Sequence, residues 1–201
     1  HSVGEDDGLP EISPSFMHHR SGGGLFVVCR NRLYTGDQEG FQHIQLPFDL
    51  KDAAGFADGS LLLYSGTALY RYGDAELSPV AGPAGLPGKA YTKLSQTRPG
   101  KIWLQTAKAI YRFEEDRWVL ENSGRKFGHI TEDSAGRRFG SILVPLEDRG
   151  LWMWEPGEPP QRYPEGRIDL IEFFAASADG RLVVVYESGD ILVRWDQEWA
   201  L

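Results

Sequence analysis

At 201 residues the chain can bury a sizeable interior as one domain. Its 29 acidic against 21 basic side chains give a formal net charge of -8, with no run of Lys and Arg, which excludes a nucleic-acid backbone as partner because counterion release needs clustered cations. The 24 Gly and 12 Pro suit short strands and turns, no window keeps a helical apolar period, and no apolar run reaches bilayer length. An all-β chain with no membrane insertion in this segment is expected.

The leader, His1 to Pro10, is polar and Gly-rich, and it opens on histidine with no charged-then-apolar signal segment. That start reads as a mature or excised piece, such as a domain of something larger. The spacing then predicts a strand over Ile12 to Arg20, a turn at Ser21 to Gly24 and a strand over Leu25 to Cys29. A corner at Arg30, Asn31 and Arg32 follows, then strands over Leu33 to Thr35 and Gly40 to Leu46. Four short strands in about 40 residues, each joined by turn chemistry, form the pattern of a propeller blade. Cys29 is the single cysteine, so no internal disulfide is available.

The module recurs from Gly59, Gly100, Gly140 and Gly180, and the apolar residue opening its third strand falls at Leu33, Leu69, Ile110, Leu151 and Leu192. Those steps of 36, 41, 41 and 41 residues predict an all-β fold, a β-propeller with five four-stranded blades of about 40 residues each, or part of a larger propeller. One domain over 1–201 is expected, with blades at 11–48, 49–84, 85–124, 125–165 and 166–201. The second strands, Leu61 to Tyr64, Lys101 to Gln105, Ser141 to Val144 and Leu182 to Tyr186, are nearly continuous apolar runs, as strands covered on both faces should be. The third strands alternate, as in Tyr70, Arg71 and Tyr72. The fourth, Glu76 to Ser78, Arg117 to Val119, Gln161 to Tyr163 and Glu198 to Ala200, are polar edges. The last of them ends next to the terminus, so any clasp falls to the leader, and self-association through blade edges is the competing expectation.

Gly-Leu-Pro, an apolar strand and an Asp-x-x-Gly corner recur as Asp7-Gly8-Leu9-Pro10, Gly85-Leu86-Pro87 and Glu132-Asp133-Ser134-Ala135-Gly136. With the closing aromatic-basic-aromatic step, this pattern resembles the two-component regulator propeller repeat over essentially the whole chain. The Trp frequent in that repeat's second strand is present only as Trp103. The resemblance implies an extracytoplasmic or periplasmic sensor module of a bacterial histidine kinase or diguanylate cyclase, with the enzymatic output in other domains. It transfers no catalytic residues.

Five histidines raise a metal site, but His18 and His19 are neighbours on one strand and point to opposite faces, and His43 and His129 fall on different strands. No metal and no cofactor is expected. The first strands offer Asp52, Glu132, Asp133, Asp169 and Glu172 as carboxylates for a five-bladed glycoside hydrolase. Glu132 and Asp133 read better as a turn element ahead of Gly136, so no catalytic residue is assigned.

A ligand site is instead expected on the rim made by the corners between second and third strands and the connections between blades. Its candidates are Arg30, Asn31, Lys108, Arg125, Lys126, Glu147, Asp148, Arg149, Glu187 and Asp190. Mixed charge of this kind suits a small polar or saccharide-like ligand, or a protein partner on a non-catalytic scaffold. Of the tryptophans, Trp103, Trp118, Trp152 and Trp195 repeat from blade to blade and read as packing between sheets, while Trp154 and Trp199 are expected to be exposed enough for contact.

Overall fold

Reversals of the chain rest on residues held at positive φ. Arg30 and Asn31 (47° and 60°), Asp74 and Ala75 (51° and 62°), and Glu115 and Asp116 (49° and 59°) each make a two-residue corner in the left-handed region. Such corners match the right-handed twist of the strands they join. The computed structural model describes residues 8–10, 14–20, 22–37, 39–84, 86, 90–98, 100–107, 109–123, 127–133, 135–142, 150–162, 171–176, 181–188, 190–195 and 198–200.

These residues form five four-stranded antiparallel meanders. The first sheet holds β1 (Phe16–His19), β2 (Leu25–Cys29), β3 (Arg32–Asp37) and β4 (Gly40–Ile44); the second, β5 (Asp52–Gly55), β6 (Leu61–Tyr64), β7 (Leu69–Gly73) and β8 (Glu76–Val80). The third holds β9 (Tyr91–Arg98), β10 (Lys101–Thr106), β11 (Ala109–Glu114) and β12 (Arg117–Ser123). The fourth holds β13 (His129–Glu132), β14 (Arg138–Ile142), β15 (Gly150–Trp154) and β16 (Gln161–Arg162); the fifth, β17 (Ile171–Ala176), β18 (Leu182–Tyr186), β19 (Ile191–Trp195) and β20 (Glu198–Ala200). The chain divides into two compact units, His1–Ala107 with Tyr111–Val119, and Lys108–Ile110 with Leu120–Leu201.

In the first unit, apolar side chains of facing sheets interleave. Phe26, Val28 and Leu33 meet Ala53, Leu61 and Leu63 of the next sheet. The other face of that sheet, through Ala54, Leu62 and Tyr64, meets Leu94, Ile102 and Leu104. Leu61, Leu62 and Leu63 are each 0% exposed, and burying one such side chain contributes roughly 1.5–3 kcal/mol. His18 joins the same seam: its Nε2 lies 2.9 Å from the Phe56 carbonyl, and its ring sits where a Cβ on Gly55 would stand, 2.2 Å from Nδ1. In the second unit, Phe139 and Leu151 pack with Ile171, Leu182, Val184 and Tyr186.

Several expectations shift. Pro14 cannot donate to a ladder, and Ser15 sends both its N–H and its Oγ to the Val28 carbonyl, so among the described residues pairing begins at Phe16 opposite Val28; Ile12 and Ser13, where the strand was expected to start, lie outside the described residues. The second strand of the fourth sheet starts at Arg138, three residues ahead of Ser141. The Asp133 carboxylate takes the N–H groups of Ala135 and Arg137, both at 3.0 Å, and the turn therefore closes early. β12 is a long edge that runs to Ser123, its Glu121 held by Arg138 at 3.0 Å. In β18, Val183 and Val185 are half-exposed, so that strand alternates where a continuously buried run was expected.

Trp154 is also corrected: it is 2% exposed, with its ring 4.9 Å from that of Phe127, and offers no contact platform. Trp103 and Trp152 are buried as expected, and Trp118 donates from Nε1 to the Ala81 carbonyl at 2.9 Å. The side chains of Trp195 and Trp199 lie outside the described residues.

Candidate functional site

The corner Arg30-Asn31 closes the hairpin in which Cys29 faces Arg32, and both corner side chains are exposed. Beside it lies an open pocket of about 720 Å3, lined by residues 31–33 and 43–49. The connection after β4 forms its far wall, the ladder having ended at Ile44 opposite Leu33. Asn31, Arg32, His43, Gln45 and Asp49 are exposed and supply donors and acceptors around the opening. Ile44, Leu46 and Phe48 are half-buried and supply an apolar wall. Two ring contacts hold that wall: Phe48 stacks on Tyr70 at 4.6 Å and 18°, and His43 leans on Tyr34 at 5.4 Å. The arrangement can grip hydroxyls at its edge while an apolar face rests on Phe48.

The carboxylates considered for hydrolysis are otherwise engaged. Asp52 accepts the Ala53 N–H at 2.9 Å on Oδ1 and the Leu94 N–H at 2.8 Å on Oδ2, pinning β5 to β9. Burial raises its pKa above the ordinary aspartate range, while those two N–H groups and Lys93 pull it partly back. Asp133 holds the guanidinium of Arg137 from two nitrogens, both at 2.7 Å, in addition to its turn N–H groups. Its role as a turn element is the expected one. Glu132, the last residue of β13, is instead a strand residue buried beside Arg138, its Oε2 3.9 Å from Nε. Asp169 and the side chain of Glu172 lie outside the described residues.

Of the expected rim residues, Asn31 lines the pocket and Arg30 is its exposed neighbour on the same corner. Glu187 and Asp190 are exposed at the corresponding corner of the fifth sheet, where the Tyr186 N–H donates to the Asp190 carbonyl at 3.0 Å and Ser188 Oγ to its Oδ2 at 3.1 Å. The first pair belongs to the first unit and the second to the other. Lys108, Arg125, Lys126, Glu147, Asp148 and Arg149 lie outside the described residues. Sequence reasoning missed Arg32, His43, Gln45 and Asp49, and the short Gln-Leu-Pro-Phe-Asp connection carried the signal: a Pro beside an aromatic at a blade junction.

No protein-family model and no curated protein matches the chain. Among solved structures it is similar to virginiamycin B lyase from Staphylococcus aureus, with a TM-score of 0.66 and 13% identity over 96% of this chain and 70% of that one. It is also similar to the extracellular domain of a putative one-component system from B. thetaiotaomicron, with a TM-score of 0.65 and 12% identity over 92% of this chain and 30% of that one. The fold is a β-propeller. A third propeller-like neighbour is the extracellular domain of a putative hybrid two-component system from the same species, with a TM-score of 0.62 and 15% identity over 91% of this chain and 26% of that one. These likenesses speak for the propeller fold and leave its activity open.

Proposed function

We propose that the five sheets are blades of a non-catalytic, ligand-binding propeller in a bacterial extracytoplasmic sensor, and that the pocket beside Asn31 takes a polar, saccharide-like molecule. The observation that carries this reading is the lining of that pocket. Exposed amide, guanidinium, imidazole and carboxylate groups surround the half-buried ring of Phe48, which matches a sugar's hydroxyl edge and C–H face. The likeness to two sensor ectodomains supports the signalling context. The engagement of Asp52 and Asp133 by backbone N–H groups and Arg137 supports binding over hydrolysis.

A thermal-shift screen of neutral saccharides and polyols tests it. A true ligand at a hundred times its Kd stabilises the fold by about 2.7 kcal/mol. The expected result is a stabilising saccharide whose effect disappears in Asn31→Ala and His43→Ala. A screen without any hit, or a hit unchanged by both substitutions, contradicts the reading.

A further inference from the structure

A second cavity, of about 180 Å3, opens at the opposite end of the second sheet from its corner at residues 65–68. Arg20, Phe26 and Thr35 line it from the first sheet, and Asp58, Tyr72 and Asp74 from the second. Arg20 Nη1 donates to Thr35 Oγ1 at 2.9 Å, and its guanidinium carbon lies 5.4 Å from the centroid of Phe26. Those two contacts fix the plane of the guanidinium while leaving most of its five donors uncommitted. Phe26 is met edge-on by Tyr72, with centroids 5.8 Å apart, and the pair makes an aromatic wall. Asp58 is occupied by Ser60 and Arg71. Asp74, exposed on its two-residue corner, has no ion-pair partner among the described residues.

The groove one module further on shows what an occupied version looks like. Counting by the repeat, Phe56 stands there for Arg20, Arg71 for Thr35, Phe113 for Tyr72 and Glu115 for Asp74. Its arginines are already paired: Arg71 is bonded to Asp58, stacked 4.4 Å over Phe56 and 3.9 Å from Asp116, and Arg112 lies 2.8 Å from Glu114. In the first groove the oriented cation and the Asp74 carboxylate have no ion-pair partner among the described residues.

We infer that this cavity binds a small zwitterion of the α-amino-acid type. The ligand's carboxylate meets Arg20, its ammonium meets Asp74, and a short side chain rests on Phe26 and Tyr72. A cavity of about 180 Å3 suits a small ligand such as alanine or serine. This site is independent of the pocket beside Asn31.

The test is a titration of the isotope-labelled protein, followed by amide chemical shifts, with L-alanine into the tens of millimolar and with propionate and ethylammonium as half-ligands. Alanine should shift the amides of Phe26, Ser60, Tyr72 and Asp74, and each half-ligand should bind at least roughly tenfold more weakly, the cost of one charge-assisted contact. Arg20→Gln should weaken alanine by a similar factor. Asp74→Asn, which keeps a residue at home in the left-handed region, should do the same and make alanine and propionate bind equally. Thr35→Val, which frees the guanidinium without removing it, should give an intermediate loss. Absence of any alanine-dependent shift, equal binding of alanine and propionate by the wild type, or unchanged affinity in Arg20→Gln overturns the proposal.

Discussion

Replacing Asp133 by alanine should destabilise the second unit severely, and the same change at Asp58 should be mild, although both residues organise an Asp-Gly-type corner. Asp133 is 1% exposed, accepts the N–H groups of Ala135 and Arg137, and pairs with Arg137 through two nitrogens. Breaking a buried pair by removing one partner costs about 3–5 kcal/mol. The Arg137 side chain is 21% exposed and recovers part of that by reaching water, which leaves about 3 kcal/mol. The Asp58 side chain is 56% exposed and its Arg71 partner 37%, so the ion pair there is worth under about 1 kcal/mol and the bonds to Ser60 add a similar amount. Urea titrations read by tryptophan fluorescence decide the matter. With a slope of about 2 kcal/mol per molar, Asp133→Ala should lower the midpoint by about 1.5 M and Asp58→Ala by about half that. Equal shifts in the two variants, or a loss under about 1 kcal/mol for Asp133→Ala, would refute the assignment of the buried corner as the stronger one.

Gly55→Ala should cost about 1–3 kcal/mol, since the new Cβ would fall 2.2 Å from the His18 ring; pairing it with His18→Ala should return much of the loss, and chemical denaturation of both variants checks this. Ala75→Gly should stabilise by about 0.5–1 kcal/mol, because Ala75 sits at a φ of 62° that costs a side chain about that much; a lower melting temperature would count against the corner geometry. Burial holds the Asp52 pKa up, so the folded state keeps its proton longer than the unfolded chain. Asp52 therefore costs stability progressively as pH rises from the ordinary value of about 3.9 through its raised folded value, and Asp52→Asn should flatten the pH profile in that window. Asp58 works in the other direction: the Ser60 hydroxyl foremost, then the Ser60 N–H and Arg71, lower its pKa. Its contribution is present above the ordinary range and is lost as pH falls through the lowered value, so Asp58→Asn should alter the profile only on the acid side.

Strand positions were legible wherever an apolar run stood between a turn and a corner. Leu61 to Tyr64 and Leu182 to Tyr186 have the expected bounds, and in the first case the turn at Gly59 and the corner at residues 65–68 leave the ladder no freedom to slide. The start of β14 was not legible, because the side chain of Asp133 rather than a backbone dipeptide decides where that turn closes. Trp154 looked exposed on an outer strand, since nothing local shows that Phe127, from a different connection, covers it. Asn31 follows from hairpin spacing alone, but its pocket exists only because residues 43–49 fold back beside that corner. The cavity at Arg20 needs two neighbouring sheets in register, a juxtaposition that no single module encodes.

The sharpest measurement is a backbone-amide chemical-shift titration of the whole chain with a saccharide that raises its melting temperature. Binding at the proposed rim predicts shifts concentrated at Asn31, Arg32, His43, Gln45, Phe48 and Asp49, abolished by Asn31→Ala in a protein of unchanged fold. Shifts that spare these six residues, or that survive the substitution, would contradict a polar-ligand sensor built on this corner.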